Sequence, residues 1–126
     1  MSFSNYLENK VMLHVFGGTS YTAPSTLYVA LYTSDPGEGD TGTEVSGGSY
    51  ARQTGAFTIT NGVAANTAAI EFPTATASWG TVAYVGVRDA STGGNLLASG
   101  ALTTSKTISS GDVFRIPASS LSISLD

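Results

Sequence analysis

Apolar residues recur along this chain with two different periods. Near the start, Phe3, Leu7, Val11 and Val15 stand four apart, and Met12 and Phe16 widen the stripe. That spacing lines one face of an α-helix, predicted over Ser4–Phe16 within an N-terminal unit 1–18. Ser2 or Ser4 supplies a capping oxygen, and Gly17-Gly18 stops the helix. A helix of about four turns is marginal alone, so it must pack on something. Its apolar residues extend around much of its girth, more than its own sheet needs to cover. Phe3, Leu7, Val11, Val15 and Phe16 are therefore a candidate assembly interface.

From Thr26 the period falls to two, the signature of strands. Leu27, Val29 and Leu31 alternate with Tyr28, Ala30 and Tyr32, and Asp35-Pro36-Gly37 ends that run. The stretch Ser34–Ser49 is acidic, glycine-rich and without periodicity, and reads as a surface loop that contacts a neighbour or stays mobile. Short strands follow at Tyr50–Gln53 and Ala56–Thr60. Asn61-Gly62 signals a hairpin into a strand within Val63–Phe72. Thr81–Asp89 turns through Ser91-Thr92-Gly93-Gly94 into Asn95–Leu102. Lys106–Ile108 and Val113–Ile116 read as one more hairpin. Leu121, Ile123 and Leu125 alternate with serines in a last strand. About eight strands at this spacing predict a mainly β fold. The expected architecture is an antiparallel, jelly-roll-like β-sandwich over 26–126 with one N-terminal α-helix.

Length fits a single domain, 1–126, able to bury a core without staples. Only 11% of the residues are charged, against about 25% in an ordinary soluble domain. A surface so poor in charge suits a chain covered by copies of itself or by partners. The five basic residues are scattered along a chain of net charge −4, whereas phosphate neutralisation needs clustered cations, so no nucleic acid is expected. There is no cysteine, hence neither disulfide nor thiolate chemistry. No apolar run approaches a membrane span, and Glu8, Lys10 and His14 interrupt any signal-like core in Met1–Phe16. A soluble chain, cytoplasmic when synthesised and with no membrane partner, is the expectation.

Candidate chemistry is sparse. The one histidine, His14, sits in the helix without a second ligand or an orienting partner. Gly47-Gly48-Ser49-Tyr50-Ala51 falls one residue short of a nucleophile elbow, and no helix follows it. Asp35, Glu38, Asp40 and Glu44 do not follow the order of a calcium loop. A glycan hydrolase needs two positioned carboxylates, and only Glu71 and Asp89 lie at strand ends. The chain reads as no enzyme, with no catalytic residue, cofactor or metal. Trp79, between Ser78 and Gly80, is the candidate exposed aromatic, and with the tyrosines it would serve a carbohydrate-binding module.

Several stretches carry a resemblance to known proteins. They are Ser4-Asn5-Tyr6-Leu7-Glu8-Asn9, His14-Val15-Phe16-Gly17-Gly18, Tyr28–Thr33, Glu44–Arg52, Phe72-Pro73 with Trp79-Gly80, and Ser109–Asp126. In these the chain resembles small tailed-bacteriophage virion proteins commonly labelled tail fibre proteins. The resemblance implies a non-enzymatic structural component of a virion, on a fibre, at the neck or as capsid decoration. It also implies a homo-oligomer, with a trimer favoured, docked on other virion proteins. The alternative is a carbohydrate-binding module contacting a host glycan.

Overall fold

The computed structural model describes residues 1–124, so the expectation for Leu125 lies outside the described residues. The chain opens with β1 (Ser2–Phe3) and α1 (Asn5–Phe16). Strands β2 (Leu27–Tyr32), β3 (Gln53–Gly55), β4 (Phe57–Thr60), β5 (Val63–Asn66) and β6 (Ile70–Glu71) follow. The remainder is β7 (Gly80–Arg88), β8 (Leu96–Ile108), β9 (Arg115–Ile116) and β10 (Ser122–Ser124). The fold is mainly β and antiparallel with one short helix. A five-stranded sheet runs β1-β8-β7-β2-β3, beside a three-stranded sheet β10-β5-β4 and the pair β6-β9.

Two-residue alternation buries β2 on both faces. Val29 and Leu31 join the main core with Val82 and Val85 of β7, and with Ile70, Phe72, Trp79, Phe114 and Ile116 from the smaller sheets and their connections. Ala30 and Tyr32 point the other way and form a second cluster with Leu96 and Tyr84. Gly86 makes that second face possible, because a Cβ there would lie 2.8 Å from the Tyr32 ring and 2.9 Å from Leu96. Asn61 and Gly62, with φ of 51° and 77°, form the expected hairpin turn between β4 and β5.

Several expectations need correction. Phe3 does not belong to the helical stripe: it lies in β1, paired with Ala98, because Ser4 starts the helix only after it. Lys106–Ile108 is the end of the long strand β8, where it pairs with Gly80–Val82. It makes no hairpin with the chain after the Ser109–Asp112 turn, since Arg115 and Ile116 pair instead with Glu71 and Ile70. The strands number ten rather than about eight among the described residues, several of them only two or three residues long.

Candidate functional site

Polar interactions fix the first turn of the helix. The Ser4 hydroxyl accepts from the Leu7 N–H at 3.1 Å and donates to the Leu96 carbonyl of β8. The Ser4 and Asn5 N–H groups donate to the carbonyls of Leu97 and Glu38, at 2.8 and 2.9 Å. Beyond that anchor the helix runs out of cover. Leu7 and Val11 are half-buried, every residue from Met12 to Phe16 is exposed, and no residue of α1 is fully buried. Phe16 retains 77% of its accessible surface and Val15 59%. The helix ends as expected, with Gly18 at φ 72°. His14 serves the backbone there: its Nδ1 accepts from the Tyr21 N–H at 3.1 Å.

Trp79 is not the exposed aromatic anticipated above. It is 4% exposed and belongs to the main core. Its indole N–H donates to the Gly48 carbonyl at 2.9 Å, and its ring meets Tyr50 edge-on with centroids 5.4 Å apart. Its position between strands suggested a loop tip, but the small neighbours Ser78 and Gly80 let the chain fold the indole inward. A buried indole with a satisfied N–H offers no face to a sugar.

The acidic loop lies at the surface as expected, with Asp35, Glu38 and Asp40 exposed, but it is anchored at several points. Pro36 and Val45 are buried, and Glu44 forms a bridge with Tyr32. Two bidentate ion pairs tie the loop down. Arg52 donates through Nε and Nη2 to both oxygens of Glu44, each at 2.8 Å. Arg88 holds both oxygens of Asp40 at 2.8 Å and also donates to the Tyr32 hydroxyl at 2.9 Å. Both guanidiniums then reach the β7–β8 turn and share the Gly93 carbonyl, at 2.9 and 3.2 Å. Residues 44 and 52, and 40 and 88, are thus brought together although the basic residues look scattered in sequence. The available signal was scarcity: in a chain this poor in charge, an arginine in a strand pattern needs a carboxylate.

Tyr50 connects this polar network to the core. Its hydroxyl donates to Glu44 at 2.7 Å and accepts from the Leu31 N–H at 3.0 Å, while its ring stacks on Phe72. Burial, reinforced by Glu44, pushes the phenol well above its ordinary value. Burial alone would raise the Glu44 carboxyl too, but the hydrogen bonds from Arg52 and Tyr50 outweigh it and hold the pKa low. Burial opposes the charge on Arg88, and its bonds to Asp40 and Tyr32 more than restore it. Fully matched charges of this kind hold a loop in place.

Glu71, Asp89 and Ser49 stand on different elements with different partners. Glu71 is exposed on β6, Asp89 caps the β7–β8 turn by accepting from Asn95, and the Ser49 hydroxyl bonds with that of Thr76. Among the described residues no group of three or more His, Cys, Asp or Glu is placed to hold a metal, and no helix is long and apolar enough to cross a membrane.

No curated protein matches the chain. A family model described as Podophage GP4 fiber I protein gp80 matches residues 2–124. With nearly its whole length matched, the chain belongs to that family, a phage tail fibre-type family of virion proteins.

Proposed function

We propose that this protein is a non-enzymatic structural subunit of the virion, acting through protein–protein contacts made by the free end of α1. The observation that carries the reading is the run of uncovered apolar side chains Met12, Leu13, Val15 and Phe16. Burying such a side chain contributes about 1.5–3 kcal/mol, so three or four of them supply a substantial contact. The partner surface is another copy of the chain in a closed homo-oligomer, the usual arrangement for repeated subunits, with three-fold symmetry favoured for a fibre. That oligomer docks on other virion proteins.

Mass measurement in solution tests this. The wild-type protein is expected as an oligomer, a trimer in the favoured form, and Phe16→Glu and Val15→Glu as monomers with unchanged circular dichroism. A wild-type protein that stays monomeric at high concentration overturns the oligomer. Hydrolysis of a glycan by the purified protein, abolished by Glu71→Gln or Asp89→Asn, overturns the non-enzymatic role.

A further inference from the structure

A groove of about 470 Å³ lies between the later half of β8 and the segment around β9 and β10. Three of its properties bear on what it takes. The first is an open backbone edge. β1 pairs with β8 at Ala98 and Ser99, and Met1 lies against Gly100 with its amine 3.4 Å from the Ser122 carbonyl, so the edge is open to a further strand only from Ala101 to Ile108 among the described residues. Within that stretch the register with β7 jumps from the pair Val82–Lys106 to Tyr84–Ala101, leaving Leu102–Ser105 bulged. The second property is charge. Arg52 and Arg88 are matched by carboxylates, and Lys10 lies 5.6 Å over the Tyr6 ring. The two remaining side-chain cations, Lys106 and Arg115, make no ion pair among the described residues, and both line this groove. Glu71 faces Arg115 across the β6–β9 pair without forming one. No described Asp or Glu lines the groove, on a chain whose net charge is −4. The third is an apolar lining that includes Val85, Leu102, Phe114 and Leu121.

The geometry points to this groove as the docking slot for an extended acidic segment of a neighbouring virion subunit. The segment adds a strand to the free edge of β8 and sets its carboxylates on Lys106 and Arg115. Strand addition uses main-chain hydrogen bonds for affinity and side-chain pockets for selection. An edge lysine and a bulge ordinarily deter pairing. Here they reject strands without matching charge and accept an acidic one, which is selection by repulsion as well as attraction. A saccharide fits less well, because Phe114, the one aromatic in the lining, is 6% exposed and offers no ring face for stacking.

This inference rests on the assembly role proposed above, and the test separates the two. The full chain, labelled for NMR, is titrated with peptides of about eight residues, an ordinary strand length, alternating Val with Glu or Val with Lys. Soluble polyglucuronate is the saccharide arm. The Glu peptide is expected to shift the amides of Ala101–Lys106 and slow their hydrogen exchange. Lys106→Glu combined with Arg115→Glu should weaken it by about tenfold or more and turn preference toward the Lys peptide. The inference is overturned by absent shifts, by equal response to both peptides, by shifts without slowed exchange, or by polyglucuronate binding where the Glu peptide does not. The titration is repeated on the helix variant Phe16→Glu. Groove binding that survives there while the oligomer is lost confirms that the two surfaces are separate.

Discussion

Strand β2 and helix α1 are both rich in apolar residues, and the fold treats them in opposite ways. Val29, Ala30, Leu31 and Tyr32 are buried to within 1% of their surface, while no residue of α1 is fully buried. The difference lies in their neighbours. β2 is flanked by β7 and β3 and covered on both faces, so each alternate side chain meets a cluster. The helix is held at Ser4 and Asn5, and its later half then projects past everything that would cover it. An apolar pattern states which side chains need cover, and the fold decides whether the chain itself provides it.

Core truncation should expose this contrast most sharply. Leu31→Ala removes a fully buried side chain facing the main core, and its cost should be about 4 kcal/mol, from the upper half of the range for such changes. Val15→Ala, in a dilute sample where the chain is monomeric, should change stability by less than about 0.5 kcal/mol. Urea unfolding of both variants measures the two values directly. Comparable losses would mean that the helix tip folds back on the sheet, and would break the contrast.

The arginine network is the next largest effect, because it gives the acidic loop the cover that the helix tip lacks. Arg88→Met should leave Asp40, the Tyr32 hydroxyl and the turn carbonyls short of donors. Removing one partner of a buried pair costs about 3–5 kcal/mol, but Asp40 keeps 36% of its side-chain surface and can turn to water, so about 2 kcal/mol is expected. Hydrogen exchange should accelerate in residues 34–49 and 89–95 together, since Arg88 is bonded to both stretches. Exchange that rises in one stretch alone would show that the arginine does not couple them.

Titration of the same network gives a smaller effect with a definite sign. Glu44 is held below its ordinary value near 4.5, so the unfolded chain binds the extra proton in acid. Its contribution is complete above that value and is lost as pH falls through the folded one. Tyr50 and Tyr32 are raised above 10 by burial, so their neutral forms are favoured in the fold. Their contribution is complete below 10 and declines as pH climbs beyond it, where unfolded tyrosines ionise. Stability should therefore fall at both ends outside a plateau of about 4.5–10. Glu44→Gln should flatten the acid limb, and Tyr50→Phe the alkaline one. An unchanged acid limb in Glu44→Gln would remove the network from the acid response.

Much of the fold was legible in local pattern. The helix with its Ser4 cap, β2, the Asn61-Gly62 hairpin and β7 all follow from periodicity and turn chemistry over a few residues. What the pattern missed was set by long-range partners. Trp79 is buried because the Gly48 carbonyl and the Tyr50 ring, distant in sequence, receive it. Arg115 and Ile116 pair with β6 across a separation that no local signal spans. The anchoring of the exposed loop 34–49 had no local signal, because two of its carboxylates, Asp40 and Glu44, meet their arginines only in space. At the helix, Val15 and Phe16 lie on α1 as the period of four predicts and are exposed, while Phe3 belongs to β1 instead.

The smallest expected effect on folding is also the most informative about the helix. Phe16→Ser removes a large apolar side chain that is 77% exposed, so in the isolated monomer there is little burial to lose. The ordinary scale for an exposed substitution, within about 0.5 kcal/mol, applies. If copies of the chain cover this residue in the assembly, the same change should cost up to about 3 kcal/mol per contact there, a loss of roughly a hundredfold in association. The two numbers come from one variant measured below and above the association concentration. A stability loss that is the same at both concentrations would place the cover of Phe16 within its own chain. A loss that grows with concentration would place it on a neighbour, and the projecting half of α1 would then be an element whose hydrophobic partner is supplied only by assembly.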